Sequence, residues 1–188
     1  MRAFLAIDLP PQARAHAARM QQPLHEIRGI RLTRPEQCHL TLKFLGEIDD
    51  RQREQCIEAL SLVRQPPFQL SLTHLGVFPN ERRPRVIWLG VCDEPALRTL
   101  ASTVDRATNT IAADKPFAPH ITLARVAEAG VRLDPALLAP RTESVQDGRS
   151  LPGLFWVADF VLYQSVLSGA GMEHRVVRKF EFGAARSG

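Results

Sequence analysis

The stretches His39-Leu40-Thr41-Leu42 and His120-Ile121-Thr122-Leu123 decide the fold of this chain, because both repeat the pattern His-apolar-Thr-apolar. Each stretch opens a longer segment, HLTLKFLG or HITLARV, that alternates in residue type and is rich in Leu, Ile and Thr, as β-strands are. Side chains two positions apart on a strand project from the same face. Each segment therefore predicts a strand that presents its His and Thr on one face and packs its apolar residues into a core.

Helix-like and strand-like patterns alternate around these two segments. In chain order we predict a strand at 2–8, a helix from Pro11 with apolar residues as far as Ile27, a strand at 39–46, a helix capped by Asp50, strands at 68–77 and 85–92, a helix after Pro95 with Ile111 on its apolar stripe, a strand from His120, a short helix at 135–139, and strands at 154–164 and 174–182. This order predicts an α/β or α+β protein in which residues 1–188 form a single domain of two similar lobes. A pseudo-two-fold between the lobes would bring the two motif strands face to face across a central cleft.

Composition narrows the class of protein. The formal net charge is +4 and most basic residues are arginine, which suits phosphate recognition but is equally a consequence of genomic base composition. No apolar run is long enough to cross a membrane or to serve as a signal peptide, so we expect a cytoplasmic protein. The three cysteines are too scattered for a disulfide framework or a zinc site, and Cys38, beside His39, is expected to be a buried thiol.

Two histidines on opposed strands supply the groups that phosphodiester cleavage needs. Histidine is the side chain whose ordinary pKa lets it take or give a proton near neutral pH. One imidazole would deprotonate the attacking oxygen and the other would protonate the leaving oxygen, while Thr41 and Thr122 donate hydrogen bonds to the phosphate. A single histidine on a strand is more often structural, but the duplication favours catalysis. Two histidines without a nearby carboxylate or cysteine ligand do not make a zinc site, so no metal and no cofactor are expected.

At this point the sequence resembles the 2H phosphoesterases, and among them the RNA 2′,3′-cyclic phosphodiesterases, also called 2′-5′ RNA ligases. The resemblance runs over nearly the whole chain and is carried by RAFLAIDLP, HLTLKFLGE, GVFPNERRPRVIWLGV, FAPHITLARV and VLYQSVLS. It implies a bilobal fold with antiparallel-rich sheets facing a deep cleft, helices outside, and the two lobes intertwined. It also implies metal-independent hydrolysis of RNA 2′,3′-cyclic phosphate ends to a 2′-phosphate, with ATP-independent 2′-5′ ligation as the reverse reaction.

The resemblance assigns roles to six residues. His39 is the expected proton donor and His120 the expected proton acceptor, with Thr41 and Thr122 as phosphate ligands. Phe44 and Arg125, each five residues after its motif histidine, match positions that flank the nucleobase in the family. An odd offset on a regular strand points to the opposite face, so a bulge or strand end must turn these two side chains inward.

Several alternatives stay open at the level of sequence. The substrate could instead be 2′-5′ oligonucleotides or small cyclic nucleotides, and a non-catalytic RNA-binding or nucleotide-binding module is a third hypothesis. RNA ends, with tRNA halves among the candidates, are the expected partners, and a cleft within one chain is compatible with a monomer. His174 stands where similar proteins often carry Tyr; together with Ser165 it suggests a serine hydrolase, but no nucleophile-elbow motif surrounds Ser165. The remaining histidines, His16, His25 and His74, are expected to be structural or at the surface.

Overall fold

An antiparallel sheet of eight strands forms the centre of the protein, and the structure is therefore mixed α+β, as the sequence predicts. The structure is a computed structural model, and it describes residues 1–109, 111, 116–139, 153–169 and 171–183. The strands of the described chain are β1 (Arg2–Asp8), β2 (Ile30–Leu32), β3 (His39–Glu47), β4 (Phe68–Leu70), β5 (Leu72–Phe78), β6 (Val86–Val91), β7 (His120–Val126), β8 (Phe155–Val157), β9 (Asp159–Ser168) and β10 (Gly171–Glu181). The large sheet runs in the order β10-β9-β1-β3-β7-β6-β5, with β2 also paired to β7, while β4 and β8 form a separate ribbon.

The two motif strands lie side by side near the middle of this sheet. β3 and β7 pair in antiparallel fashion, with Leu40 opposite Ile121. Both of these side chains are fully buried, so the pairing lets the two motifs share one apolar core. The motif strands are thus neighbours in one sheet rather than opposed across a cleft, and the division into two lobes stays a prediction of the sequence.

The helices pack on the apolar face of the sheet. They are α1 (Pro11–Gln21), α2 (Asp50–Ser61), α3 (Pro95–Ala107) and the short α4 (Pro135–Leu138), with 3₁₀ turns at Gln22–Glu26 and Pro35–Gln37. The buried residues of α3, Leu97, Leu100 and Val104, belong to the same core as Leu40 and Ile121. One large core therefore lies between the helices and one face of the sheet, and the opposite face remains for the histidines.

Two helix boundaries differ from the sequence prediction. The first helix ends at Gln21 and continues only as a 3₁₀ turn, because Pro23 has no N–H to donate to the preceding turn. The cap of the second helix is Asp49 and not Asp50. The Asp49 carboxylate accepts a hydrogen bond from the Gln52 backbone N–H (2.7 Å), and the Gln52 side chain accepts one from the Asp49 N–H (3.0 Å). This reciprocal pair is a capping box, which Asp50, one residue inside the helix, does not form.

Two long strand predictions each resolve into two shorter strands. The segment 68–77 divides into β4 and β5, and the segment 154–164 divides into β8 and β9, because the first part of each pairs in the separate ribbon. The third helix ends at Ala107, so Ile111 lies beyond it. Residues 140–152 of the weakly patterned stretch 127–152 lie outside the described residues. Among the described helices, none combines the length and apolar character that a membrane span requires.

Candidate active site

His39, Thr41 and their counterparts His120 and Thr122 project from the sheet face that is opposite to the main core. Along β3, Leu40 and Leu42 are buried in the core while His39 and Thr41 are partly accessible. The same alternation recurs along β7. The His and Thr of each motif share a face, as the sequence predicts, and because β3 and β7 are neighbours both pairs lie on one continuous surface rather than on opposed strands.

A β-bulge follows each motif and reverses the alternation at the same point. On β3, Thr41 pairs with Ala6 and Lys43 with Leu5, so Leu42 is the extra residue, and Phe44 then faces Phe4 on the histidine side. On β7, Leu123 is the extra residue in the same way, since Thr122 pairs with Trp88 and Ala124 with Ile87. The bulges therefore bring the side chains of Phe44 and Arg125 to the face that carries the histidines, which the sequence prediction required.

The Gln21 side chain at the end of α1 holds the second bulge in place. Its amide nitrogen donates to the carbonyl of Leu123 (2.9 Å) and to the carbonyl of Thr33 (2.7 Å). The Thr33 N–H also donates to the Leu123 carbonyl (2.8 Å). A buried amide thus connects α1, the end of β2 and the bulge that orients Arg125.

Both motif histidines are held by the same hydrogen bond. The Nδ1–H of His39 donates to the Gln37 carbonyl at 2.7 Å, and the Nδ1–H of His120 donates to the Ala118 carbonyl at 2.7 Å. A carbonyl oxygen only accepts, so we assign the proton of each neutral ring to Nδ1 and the lone pair to Nε2. In each ring Nε2 is then the nitrogen available for proton transfer, and its orientation is fixed by the residue two positions earlier.

The electrostatic surroundings of the two histidines differ. Burial lowers the pKa of His39 to about 4, with a smaller lowering from His174 and His120, while the Gln37 carbonyl and Asp8 act in the opposite direction. Burial also lowers the pKa of His120, and Arg125 adds to this lowering. Both rings are therefore neutral at pH 7. The charged neighbour of His39 is the Asp8 carboxylate, and that of His120 is the Arg125 guanidinium.

Asp8 is fixed beside His39 by the chain's single tyrosine. Asp8 pairs directly with His39 across β1 and β3. The Tyr163 hydroxyl of β9 donates to both carboxylate oxygens of Asp8, at 2.7 and 2.8 Å. Burial and this hydrogen bond raise the pKa of Tyr163, so the phenol stays protonated and remains a donor. The carboxylate is consequently held in one position at the edge of the site.

Aromatic rings enclose each histidine. The His39 ring lies 4.9 Å from the Phe4 ring and 5.2 Å from the His174 ring, measured between centroids, and His174 stands perpendicular to it. The His120 ring makes an edge contact with Phe78 at 5.0 Å, and Phe78 in turn contacts Trp88. These rings account for the burial that lowers the pKa of both histidines.

Gly76 leaves room for the indole ring of Trp88, which contacts Phe78 beside His120. A Cβ on Gly76 would come within 2.2 Å of the indole ring, so only glycine fits beneath it. Trp88 also lines a cavity of about 690 Å³ together with His74, Gly76 and Arg82. Neither motif histidine lines this cavity.

Comparison with known proteins decides the family. A family model described as LigT like Phosphoesterase matches residues 7–88. An RNA 2′,3′-cyclic phosphodiesterase from Archaeoglobus fulgidus is 33% identical over 183 residues, which cover 96% of this chain and 100% of that protein. The chain belongs to the RNA 2′,3′-cyclic phosphodiesterase family of 2H phosphoesterases.

Solved structures agree with this family. A crystal structure of a Thermus thermophilus protein, TT0787, superimposes with a TM-score of 0.82 at 30% identity, over 98% of this chain and 99% of its own. A crystal structure of Escherichia coli LigT complexed with 3′-AMP superimposes with a TM-score of 0.76 at 27% identity, over 96% of this chain and 97% of its own. The match extends over nearly the whole chain, including both His-x-Thr strands of the 2H phosphoesterase fold.

The structure brings all six residues named from the sequence to one face, together with residues that neither motif identifies. Asp8, Gln21, Tyr163 and His174 lie at or beneath this 2H site. The alternation in β1, which puts Asp8 on the same face as Phe4, was a local signal that could have identified the carboxylate. His174 pairs with Ser165 across β9 and β10. It lies among aromatic rings next to His39, and not in a hydrolase triad.

The other features predicted from the sequence have simple structural positions. His16 is buried and structural, and His74 lies beside Trp88. Cys38 is buried, and burial raises the pKa of its thiol to about 11, while all three cysteines are free. Within the described part of the chain, no group of three or more His, Cys, Asp or Glu side chains has the arrangement of a metal site.

Proposed function

We propose that this protein hydrolyses the 2′,3′-cyclic phosphate at RNA ends to a 2′-phosphate, with His39 and His120 as the acid–base pair. The observation that carries the proposal is the matched setting of the two imidazoles. Each is on one of two adjacent strands, each is anchored through Nδ1 to the carbonyl two residues earlier, and each keeps Nε2 for the substrate. Family membership supports the substrate class, since the Archaeoglobus fulgidus relative is an RNA 2′,3′-cyclic phosphodiesterase.

The reaction is an in-line displacement at phosphorus. His120 Nε2 takes a proton from a water molecule as the water oxygen forms a bond to phosphorus. The bond from phosphorus to the 3′-oxygen breaks, and His39 Nε2 gives its proton to that oxygen. The product carries a 3′-hydroxyl and a 2′-phosphate. Each proton transfer of this kind contributes a factor of roughly 10²–10⁴ in rate.

The two threonines are proposed to bind the phosphate. Thr41 and Thr122 lie two residues beyond His39 and His120 on the same face, so their hydroxyls approach the same space as the two Nε2 atoms. Hydroxyl donors there would stabilise the charge that accumulates on the non-bridging oxygens in the transition state.

The neighbouring charges support His39 as the proton donor and His120 as the acceptor. Asp8 favours the imidazolium form of His39, as a proton donor needs, while Arg125 favours the neutral form of His120, as a base needs. Burial of His39 opposes its protonation. A bound phosphate anion adds the negative charge that, together with Asp8, offsets this burial.

Phe44 and Arg125 are proposed to flank the nucleobase. Both reach the histidine face through the bulges, and Phe44 exposes 51% of its surface there, which is unusual for a phenylalanine and suits base stacking. Escherichia coli LigT has been crystallised with 3′-AMP and with phosphate, which supports a site for a nucleotide on this surface.

The reverse reaction and the biological setting follow as further parts of the proposal. The strained cyclic ester would allow the same two histidines, with exchanged roles, to join a 5′-hydroxyl RNA end through a 2′-5′ linkage without ATP. RNA ends such as tRNA halves are candidate substrates. Since every proposed site residue comes from one chain, a monomer suffices for activity, and a cytoplasmic location stays a prediction of the sequence.

The experiment that tests this function compares three substrates in EDTA: an oligonucleotide ending in a 2′,3′-cyclic phosphate, a 2′-5′-linked oligonucleotide and adenosine 2′,3′-cyclic phosphate. We expect the first to be converted to a 2′-phosphate, identified by phosphorus NMR. Turnover of the 2′-5′-linked substrate alone would change the substrate class. Tight binding of all three without turnover would indicate a binding module.

A further inference from the structure

Two arginines stand directly opposite each other at the edge of the site. Arg31 of β2 pairs with Arg125 of β7 in the antiparallel ladder. The residues on either side of Arg31, Ile30 and Leu32, pack against the main core, so Arg31 projects from the opposite face, which also carries the histidines. Its neighbour Arg125 lies near His120 and lowers the pKa of that imidazole, and Arg31 is the residue opposite Arg125 on the next strand.

This arrangement is unfavourable for the folded protein alone. Like charges directly opposite on neighbouring strands repel each other. Within the part of the chain that the structure describes, neither guanidinium forms an ion pair with a carboxylate, although Arg53, Arg98 and Arg175 each do. Both arginines are exposed. Among the described residues, positive charge is therefore concentrated beside the histidines without a paired carboxylate, as in sites that bind an external anion.

The position of Arg31 is fixed by the same contacts that hold the second bulge. β2 is a short strand, and its end at Leu32 leads directly to Thr33, which bonds to Leu123 and to Gln21. The backbone that carries Arg31 is thus tied to the backbone that carries Arg125. A ligand that spans the two guanidinium groups would meet a preorganised pair.

We propose that Arg31, opposite Arg125, forms a second phosphate subsite that binds the phosphodiester on the 5′ side of the terminal nucleotide. This inference rests on the proposed function, and it narrows the substrate to an RNA chain end in preference to a free nucleoside cyclic phosphate. The terminal nucleotide has its cyclic phosphate at the histidines and its base near Phe44 and Arg125. Arg31, one strand beyond Arg125, then meets the next phosphate along the chain. An arginine fork suits this group because it donates two parallel hydrogen bonds to phosphate oxygens.

The test uses substrates that differ by this single phosphate. They are adenosine 2′,3′-cyclic phosphate with a free 5′-hydroxyl, the same compound carrying a 5′-methylphosphate, and the dinucleotide ApA ending in a 2′,3′-cyclic phosphate. Arg31→Gln is compared with Arg51→Gln, which removes the same charge from an exposed position on α2. We expect Arg31→Gln to lower kcat/KM for the two phosphodiester substrates roughly tenfold, as for the loss of one charged hydrogen bond, and to change it less than about twofold for the free nucleoside substrate.

Salt dependence and binding provide a second readout. The slope of log kcat/KM against log salt concentration for the dinucleotide should become shallower by about 0.7 in Arg31→Gln, as for one lost phosphate contact on single-stranded RNA. Equal losses on all three substrates, or none on any, would overturn the inference, as would an equal loss in Arg51→Gln. If the wild type hydrolyses none of the three substrates, the proposed function is wrong. Binding of the dinucleotide ApA with a terminal 2′-phosphate, measured by calorimetry, would then still show whether Arg31 contacts the phosphodiester.

Discussion

Lys43→Met tests how the first bulge is held. Lys43 is one residue beyond the bulged Leu42 and is 5% exposed, with its side chain in the core. Its ammonium group donates to the carbonyl of Thr108 at 3.1 Å and forms an ion pair with the Asp105 carboxylate at 2.7 Å. These contacts connect the bulge, and therefore Phe44, to the end of α3.

The stability that Lys43→Met should lose depends on which partner of the Lys43 ammonium group is buried. Asp105 exposes 58% of its side chain, so its ion pair contributes little. Thr108 is buried, and its carbonyl would lose a charged donor. The Thr108 carbonyl keeps the Ile111 N–H as a donor at 3.0 Å, so the loss is that of one buried charged hydrogen bond, about 1.5–3 kcal/mol of the free energy of unfolding. In a domain of this size such a loss lowers Tm by roughly 5–10 °C.

Urea unfolding at pH 7 measures this loss, with Lys179→Met as the matched control. Lys179 also pairs with a carboxylate, Asp159 at 2.9 Å, but about half of its side chain is exposed. We expect the control to lose less than about 1 kcal/mol. A loss below about 0.5 kcal/mol in Lys43→Met, or one no larger than that of Lys179→Met, would show that the hydrogen bond to Thr108 does not hold the bulge.

Three further predictions concern charge, bulge geometry and pH. Asp8→Asn removes the carboxylate that raises the pKa of His39. The limb of the pH–kcat/KM profile that requires a protonated donor should therefore move to lower pH. An unchanged limb would contradict the assignment of His39 as the donor. Gln21→Leu removes the donor to the Thr33 carbonyl and one of the two donors to the Leu123 carbonyl, and calorimetric unfolding should show a loss of about 2–3 kcal/mol, with KM raised more than kcat is lowered; unchanged stability would contradict the role given to Gln21. Because the pKa of His39 is about 4 in the folded chain and near 6.5 when unfolded, the unfolded state binds more protons between these values. Stability should thus fall by about 1–2 kcal/mol between pH 7 and pH 5 in urea unfolding, and His39→Gln should remove this part of the pH dependence.

The local features of the site could be predicted from sequence because they depend on the period of a strand. The alternation in HLTLKFLG and HITLARV correctly predicts that each His and Thr share a face. The role that the family resemblance gives to Phe44 and Arg125 requires an irregularity after each motif, and bulges are found there at Leu42 and Leu123.

The long-range features could not be predicted, because periodicity does not specify which strands become neighbours. β1 lies between β3 and β9, and only this order brings Asp8, Tyr163 and His39 together. Likewise, His174 contacts His39 because β10 pairs with β9, although both strands lie far along the chain from the first motif. The short strand β2, which carries Arg31, is too brief to give a period of its own.

The most direct test of the account is the rate at which an oligonucleotide ending in a 2′,3′-cyclic phosphate is hydrolysed by the wild type, His39→Ala and His120→Ala. Circular dichroism and thermal unfolding would establish that each variant is folded. We expect a 2′-phosphate product from the wild type and a fall in kcat of about 10²–10⁴-fold or more in each variant. A folded His39→Ala or His120→Ala protein that keeps most of the wild-type rate would contradict the acid–base pair on which the proposed function rests.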